Sequence, residues 1–279
     1  MSIMARTSEY GGSAWRYDKD NKYHRYGRTV LITIASLLTF LLAWWVLSII
    51  AAIPYFPTPE RAWSAFQLLM ERGDLATGLT MWQNVEASLY RFGGGFIIAF
   101  AVAVPLGLAL GYSGLVEEFA KPMIEVLRPI APIAWAPLFV LAMGTSLGPM
   151  MVVFIGVFFP LLTNTIFGVK KIDSHLVDAA KTLGANEYQI FYKVMLPCTA
   201  PYIMNGIRVG LGIGWMCIVA AEMIAPFGGG IGYFINNQAQ IGNWPNVFVG
   251  LGIVSVLGIM TTGLADYVHR IISRRMGIE

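Results

Sequence analysis

Residues 129–169 form a run of 41 residues without a single charged side chain. As one α-helix this run would be about 61 Å long, roughly twice the ~30 Å thickness of a bilayer core. The run therefore has to turn, and Gly-Thr-Ser-Leu-Gly-Pro at 144–149 contains the residue types that favour a turn. We expect two membrane spans here, at about 129–144 and 149–169.

Four more apolar stretches are long enough to cross a bilayer, at about 30–53, 92–113, 208–226 and 247–267. Only 13% of the residues are charged, against about 25% in a soluble globular protein. The first stretch has 24 residues and follows 29 mostly polar ones, which is unlike a signal peptide. The fold class expected is an all-α membrane protein with six transmembrane helices.

The distribution of basic residues predicts the orientation of these helices. Six spans place both termini on one side of the membrane. If that side is the cytosol, only Arg61, Arg72 and Arg91 of the 19 Lys and Arg residues lie in external segments. The positive-inside rule therefore predicts cytosolic N- and C-termini in a plasma (inner) membrane. We divide the chain into a cytosolic N-terminal extension, 1–29, and a transmembrane domain, 30–279.

Residues 170–207, between the fourth and fifth spans, are expected to face the cytosol and yet carry regularly spaced apolar side chains. The spacing of Leu176, Ala179 and Leu183 predicts a short amphipathic helix that Asp173 or Ser174 caps and that ends at Gly184. A second short helix follows Asn186, and Pro197 and Pro201 are expected to break the chain before the fifth span. The apolar side chains either pack on the protein's own spans or bind a partner protein.

This segment resembles the cytoplasmic loop signature of ABC importer permeases. In that signature Glu-Ala-Ala is followed by three residues, Gly, nine residues, Ile, any residue and Leu-Pro. The matching positions here are Asp178, Ala179, Ala180, Gly184, Val194, Leu196 and Pro197. The spacing matches throughout, and the two departures, Asp178 for Glu and Val194 for Ile, are conservative.

The resemblance implies the type I fold of these permeases and a coupling loop, 170–207, that docks on a separate ATPase. Its coupling residues would be Asp178, Ala179, Ala180, Gly184, Leu196 and Pro197. It further implies an extracytoplasmic solute-binding protein and a second permease copy, in a homodimer or a heterodimer. The chain itself would bind no cofactor, because ATP-Mg would be used by the partner ATPase.

Two further stretches resemble the nitrate, sulfonate, taurine and bicarbonate branch of this family. They are Leu-Arg-Pro-Ile-Ala-Pro-Ile-Ala-Trp-Ala-Pro-Leu at 127–138, and Ala-Glu-Met-Ile at 221–224 followed by Gly-Ile-Gly-Tyr at 230–233. The resemblance implies a small anion as substrate, although the branch also extends to pyrimidine precursors of thiamine. The spans themselves contain no row of basic side chains that would argue for an anion.

Three residues are candidates for the pathway or its gate. Glu222 is a carboxylate within the fifth span, which is costly in a bilayer. It either lines the pathway or is hydrogen-bonded to the backbone of 228–230 near the outer surface. Trp135 and Pro137 lie in a proline-rich segment that predicts an irregular helix start, and such a segment either lines a cavity or packs inside the protein.

Other function classes find little support in the sequence. No phosphate-binding loop of the GxxxxGK[ST] type is present, and no cluster of His, Asp or Glu suggests a catalytic or metal site. We therefore expect a transport subunit rather than an enzyme. A self-contained secondary transporter is the alternative, but it would usually show inverted repeats and intramembrane charge pairs.

Overall fold

A computed structural model describes residues 22–51, 53 and 55–275 and divides the chain into two units, Met1–Ile53 and Pro54–Glu279. Most of the predicted N-terminal extension, 1–21, lies outside the described residues. The first unit contains helix α1, Lys22–Ala51. Residues Arg28–Ile50 of α1 are long and apolar enough to cross a membrane.

The second unit contains nine helices in its described part and no strand. In chain order they are α2 (Pro59–Arg72), α3 (Met81–Tyr112), α4 (Gly114–Leu127), α5 (Ala136–Lys170), α6 (Ser174–Thr182), α7 (Glu187–Ile190), α8 (Leu196–Ile224), α9 (Ile231–Gln240) and α10 (Trp244–Arg275). A 3-10 turn, Pro132–Trp135, precedes α5, and a π-helical turn, Phe191–Met195, joins α7 to α8. Helix α2 follows Thr58, whose side chain accepts a hydrogen bond from the Arg61 N–H.

Five helical stretches of the described residues are long and apolar enough to cross a membrane, where the sequence predicted six. The difference lies in the uncharged run 129–169, which forms one helical stretch with a break inside it. Gly144 has φ 80° and ψ −177°, a conformation that is almost restricted to glycine. A Cβ placed on Gly148 would come within 2.7 Å of Val140 Cα, which shows that the chain bends sharply between these residues.

Several helices are longer than the apolar runs predicted. Helix α3 begins at Met81 instead of about 92, and α8 begins at Leu196 instead of about 208. The predicted break at Pro197 and Pro201 is wrong. Pro197 lies in the first turn of α8, directly after the π-helical turn, and the helix continues through Pro201. The stretch between α8 and α10 contains a further short helix, α9.

Helices α3, α5 and α8 form the core of the second unit, and small residues bring them close together. A Cβ on Gly107 would lie 2.7 Å from Thr165 Cβ, and one on Gly111 would lie 2.6 Å from Val169 Cβ. Residue numbers rise together in these pairs, which shows that α3 runs parallel to residues 145–170.

Helix α8 runs antiparallel to residues 145–170. A Cβ on Gly168 would lie 2.6 Å from Tyr202 Cβ, whereas one on Gly206 would lie 3.1 Å from Leu161 Cα. Gly206 and Gly210 therefore pack within the chain, against α5. Small residues allow this kind of close contact between membrane helices.

Residues 113–143, which we call the return segment, connect these two parallel helices. Ala120 and Ile124 pack near the ends of α3 and α5, whereas Ile133 and Phe139 pack near the middle of the core around Phe92 and Trp215. The return segment therefore runs from the end of α3 back toward its start. Its α4 portion contains no buried residue.

Candidate functional site

The loop segment, residues 173–189, lies at the end of the second unit where α3 and α5 finish, which we call the loop end. Its first helix, α6, is capped by Asp173, whose carboxylate accepts a hydrogen bond from the His175 N–H at 2.9 Å. At its other end the N–H of Gly184 donates to the Lys181 carbonyl and that of Ala185 to the Ala180 carbonyl, at 2.9 and 3.0 Å. This arrangement is a Schellman motif, and Gly184 provides its positive φ, 79°.

The second short helix, α7, starts with a capping box. Asn186 accepts a hydrogen bond from the Gln189 N–H at 2.8 Å, and the Gln189 side chain accepts one from the Asn186 N–H at 3.0 Å. The helix boundaries that the sequence predicted at Asp173, Gly184 and Asn186 are therefore confirmed. The loop segment is an ordered pair of helices rather than a flexible connection.

The loop segment exposes apolar side chains that the rest of the described chain leaves uncovered. Helix α6 contains no buried residue. Leu183 is 86% exposed at the turn, and Leu176 and Tyr188 are also exposed. Of the predicted coupling residues, Asp178, Ala179, Gly184 and Pro197 are exposed, while Ala180 and Leu196 are half-buried. An ordered, exposed apolar surface of this kind suits helix-in-groove recognition by a partner protein.

Both ends of the loop segment are anchored in the core. Ile172 precedes it, and Phe191 and Met195 follow it, and all three pack into a cluster formed with residues of α3 and α5. Ile190, the last residue of α7, is also buried. The exposed part of the loop segment is therefore fixed at both sides on the helices that form the core.

A second polar site, which we call the clasp, lies at the opposite end of the core. Its central contact is a buried ion pair in which Arg91 Nη1 donates to Glu222 Oε1 at 2.8 Å. Arg91 also donates to the carbonyls of Gly228 and Gly229, at 2.6 and 2.8 Å. Glu222 has no exposed surface and Arg91 has 4%. The pair joins the first turns of α3 to the end of α8 and to the glycine-rich turn that follows it.

The remaining groups of the clasp satisfy the second carboxylate oxygen of Glu222. The Ser88 hydroxyl donates to Glu222 Oε2 at 2.8 Å, and the Gly232 N–H donates to the same oxygen at 3.0 Å. Ser88 in turn accepts from the Ile231 N–H, and Asn84 accepts from the Gly230 N–H, at 2.8 and 2.9 Å. A buried charge is tolerable when it is paired and its other hydrogen bonds are made, as they are here.

Glycine is required in the clasp because the backbone passes directly over the carboxylate. A Cβ on Gly230 would clash with the Glu222 carboxyl group, and one on Gly232 would clash with the Val219 carbonyl. Neither position has room for a side chain. The Gly-Ile-Gly pattern at 230–232 therefore reflects the close packing of α9 on the end of α8.

Sequence reasoning selected Glu222 but missed its partner. Arg91 is the last residue of a predicted external segment, and the structure places it on α3, buried beside Glu222. Glu222 does bond to the neighbouring backbone, but at Gly232 rather than at 228–230, whose carbonyls accept from Arg91 instead. The one available signal was that Asn84, Ser88 and Arg91 recur at helical spacing just before an apolar run.

The structure does not bring the other two pathway candidates into the clasp. Trp135 ends the 3-10 turn and stacks on Phe139, with ring centroids 6.0 Å apart, and Pro137 is exposed in the first turn of α5. The irregular helix start predicted here is confirmed by the 3-10 turn.

An open cleft of about 390 Å³ lies beside the clasp, lined by Gln83, Glu86, Ala87, Tyr90, Arg91 and Ser146. Among the described residues, no three His, Cys, Asp or Glu side chains are grouped as a metal site.

Comparison with known proteins identifies the family to which these features belong. Residues 101–277 match the family model described as the binding-protein-dependent transport system inner membrane component. A Methanocaldococcus jannaschii protein named as an ABC transporter permease is 41% identical over 190 residues, which cover 68% of this chain and 71% of that protein.

Two further relatives have names that state a substrate. The taurine transport system permease protein TauC of Escherichia coli is 30% identical, covering 84% of this chain and 85% of its own length. The bicarbonate transport system permease protein CmpB of Synechocystis is 30% identical, covering 88% and 89%. These relatives confirm the resemblance that the sequence showed, including its taurine- and bicarbonate-type branch.

The solved structures support the fold. A chain of the MetNI methionine ABC transporter, solved in inward-facing conformations, matches with a TM-score of 0.58 and 19% identity, covering 69% of this chain and 97% of that chain. The all-helical architecture with several apolar helices is that of a multi-pass membrane protein. The chain therefore belongs to the family of inner membrane permease components of binding-protein-dependent ABC importers, which are transport subunits and not enzymes.

Proposed function

We propose that this chain forms the transmembrane pathway of an ABC importer and is driven by a separate ATPase that docks on the loop segment. The observation that carries the proposal is the loop segment itself, an ordered helix pair that is anchored in the core and presents uncovered apolar side chains. Asp178, Ala179, Ala180 and Gly184 would contact a cleft of the ATPase. ATP-Mg would be bound and hydrolysed by that partner.

The proposed topology has six crossings of the plasma (inner) membrane and cytosolic termini. Its support is that α3 and residues 145–170 run parallel, which requires the return segment to lead back across the same distance. Helix α3, the return segment, residues 145–170, α8 and α10 would make five crossings, and α1 would make the sixth. The loop segment and the C-terminal end of α10 then lie on the cytosolic side, in agreement with the basic residues of the loop segment and of the C-terminus.

The clasp would lie near the extracytoplasmic surface, where a solute-binding protein delivers the substrate. We propose a small anion such as nitrate, a sulfonate, taurine or bicarbonate, on the basis of the taurine- and bicarbonate-type relatives. A second copy of the permease would complete the pathway, most simply as a homodimer. Glu222, Trp135 and Pro137 remain candidates for positions along the pathway or at its gate.

The test is to purify the tagged protein from its native membranes in mild detergent and to identify its partners by mass spectrometry. We expect an ATPase with a phosphate-binding loop, together with an extracytoplasmic binding protein. Ligand screening on that binding protein would then identify the substrate. Recovery of the permease alone, even after cross-linking through residue 184, would favour a self-contained transporter.

A variant of the loop segment makes this test specific. Gly184→Asp places a charge on the exposed turn, where a Cβ meets no atom within 4 Å, and should abolish ATPase docking without affecting insertion. Gly78→Asp is the matched control, since Gly78 is also exposed, has φ 71° and has open space around it, but lies just before α3. Normal docking of the ATPase on the Gly184→Asp protein would contradict the proposal.

A further inference from the structure

Two polar contacts join a short stretch of chain, the α3–α4 corner (residues 112–117), to Glu187 in the loop segment and to Lys170, three residues before the loop segment begins. Tyr112, the last residue of α3, donates its phenolic O–H to Glu187 Oε2 at 2.6 Å. Lys170, the last residue of α5, forms an ion pair with Glu117 in the first turn of α4. Glu187 is the first residue of α7. The corner therefore contacts the loop segment directly at Glu187 and contacts the end of α5, from which the loop segment follows, at Lys170.

Among the described residues, these two contacts are the side-chain hydrogen bonds and ion pairs that join residues 170–189 to a distant part of the chain. The other side-chain hydrogen bonds and ion pairs formed by residues 170–189 are local, such as the caps of α6 and α7 and the bond from the Thr182 hydroxyl to the Asp178 carbonyl. The remaining anchors are apolar and belong to the residues that flank the loop segment. Within the described residues, polar side-chain contacts therefore connect this part of the chain directly only to the corner.

The connection from α7 into α8 is interrupted by the π-helical turn, Phe191–Met195, in which the Leu196 N–H donates to the Phe191 carbonyl. A π turn contains one residue more than an α-helical turn and is a common site of local adjustment in functional helices. Movement of α7 is therefore not transmitted to α8 as it would be along one uninterrupted α-helix.

The corner is also the point from which the return segment starts. Helix α4 has no buried residue, and the return segment ends at Gly144, whose φ of 80° and ψ of −177° interrupt the helix. The residues that follow touch the clasp, since a Cβ on Gly228 would lie 3.0 Å from Thr145 Oγ1. The return segment thus begins directly after Tyr112, which contacts the loop segment, and is followed by Thr145, which lies beside the clasp.

We propose that the α3–α4 corner passes the movement of the ATPase-docked loop segment to the return segment, through the Tyr112–Glu187 hydrogen bond and the Glu117–Lys170 ion pair. Tyr112 and Glu117 are then positioning residues for transport. They lie outside the docking surface and act by connecting it to the segment that bends at Gly144. This inference rests on the proposed function, because it assumes that an ATPase docks on the loop segment.

The experiment uses the complex purified with its ATPase and reconstituted in lipid vesicles, with Ser146→Cys as a reporter. Ser146 is exposed just after the Gly144 bend and lines the cleft beside the clasp. The rate of labelling of this cysteine by a charged maleimide is measured with and without Mg-ATP plus vanadate. The parent chain without Ser146→Cys corrects for labelling of Cys198 and Cys217.

We expect Tyr112→Phe together with Glu117→Gln to retain the ATPase but to reduce the ATP-dependent change in labelling rate about five-fold, mainly through loss of the hydrogen bond, because an exposed ion pair adds little. Glu125→Gln is the matched control on α4, because it removes the same charge from an exposed pair with Lys121 and should leave the response unchanged. Exchanging the charges, Glu117→Lys with Lys170→Glu, should restore much of the response lost in Glu117→Gln.

The outcomes separate the two proposals. A full response to ATP in the double variant Tyr112→Phe, Glu117→Gln would overturn the role of the corner and leave ATPase docking intact. An equal loss in Glu125→Gln would also overturn it, since the effect would then be one of surface charge. Absence of the ATPase from the unmodified complex would overturn the proposed function and this inference together.

Discussion

The loop end and the clasp end of the same core handle polar and apolar groups in opposite ways. At the clasp, Arg91 and Glu222 are withdrawn from solvent and surrounded by hydrogen-bonding partners. At the loop end, α6 and its following turn leave leucine and tyrosine side chains uncovered. The charges of the clasp have their partners within the chain, whereas the apolar side chains of the loop end are not covered by it. The first pattern is typical of internal structure and the second of a binding surface.

The comparison predicts that substitutions at the clasp act on the stability of the protein and that substitutions at the loop end act on its partner. The largest effect should come from Arg91→Met. This change leaves the Glu222 carboxylate and the carbonyls of Gly228 and Gly229 without their donor, and breaking a buried pair in this way costs about 3–5 kcal/mol. Denaturant unfolding in detergent measures the loss.

Arg208→Met is the matched control for Arg91→Met. Arg208 also pairs with a carboxylate, that of Asp266 at 2.8 Å, but its side chain is 56% exposed. Exposed pairs contribute at most about 1 kcal/mol. Equal losses of unfolding free energy in the two variants would show that burial of the clasp contributes nothing.

A smaller effect is expected for Gly144→Ala at the bend. No atom lies within 4 Å of a Cβ at this position, which means that the only cost is the backbone conformation. Holding alanine in this region should cost about 1–3 kcal/mol of unfolding free energy. In Gly252→Ala, a glycine in open space within α10, the same added methyl should be neutral or stabilising. Equal effects in both variants would mean that the bend tolerates side chains.

Removal of the α7 cap should act locally. Asn186→Ala loses the acceptor for the Gln189 N–H, which costs about 1 kcal/mol and corresponds to roughly five-fold faster hydrogen exchange of the α7 amides. Thr182→Ala, which removes an exposed hydroxyl bonded within α6, should leave the exchange of α7 unchanged. Unchanged exchange in Asn186→Ala would show that tertiary packing alone holds α7.

The smallest effect on stability is expected for Leu183→Ser. Because Leu183 is 86% exposed, the unfolding free energy should change by less than about 0.5 kcal/mol. Retention of the ATPase during purification should nevertheless fall about ten-fold if Leu183 is a central contact. Leu75→Ser, at a position that is 81% exposed before α3, should alter neither property. Equal retention in both variants would place the docking surface elsewhere.

The helices of this protein could largely be predicted from sequence, but their ends could not. Apolar runs located every candidate span, since a bilayer core requires about 20 apolar residues. The predicted start of α3 is eleven residues too late, because Asn84, Ser88 and Arg91 are polar and yet buried as parts of the clasp. The caps of α6 and α7 were predicted correctly, because capping depends on residues three or four positions apart.

The sequence alone determined the membrane class of the chain, the apolar helix pair between the fourth and fifth spans and its family signature, since these depend on local composition and short spacings. Tertiary structure alone decided that Glu222 pairs with Arg91, 131 residues away, that the helix pair stays uncovered, and that Glu187 and Lys170 meet the corner at Tyr112 and Glu117. A local sequence pattern predicts which residues lie on one helix face. Which distant charge reaches that face depends on how the helices pack, because only packing brings such groups within the few ångströms over which a hydrogen bond forms.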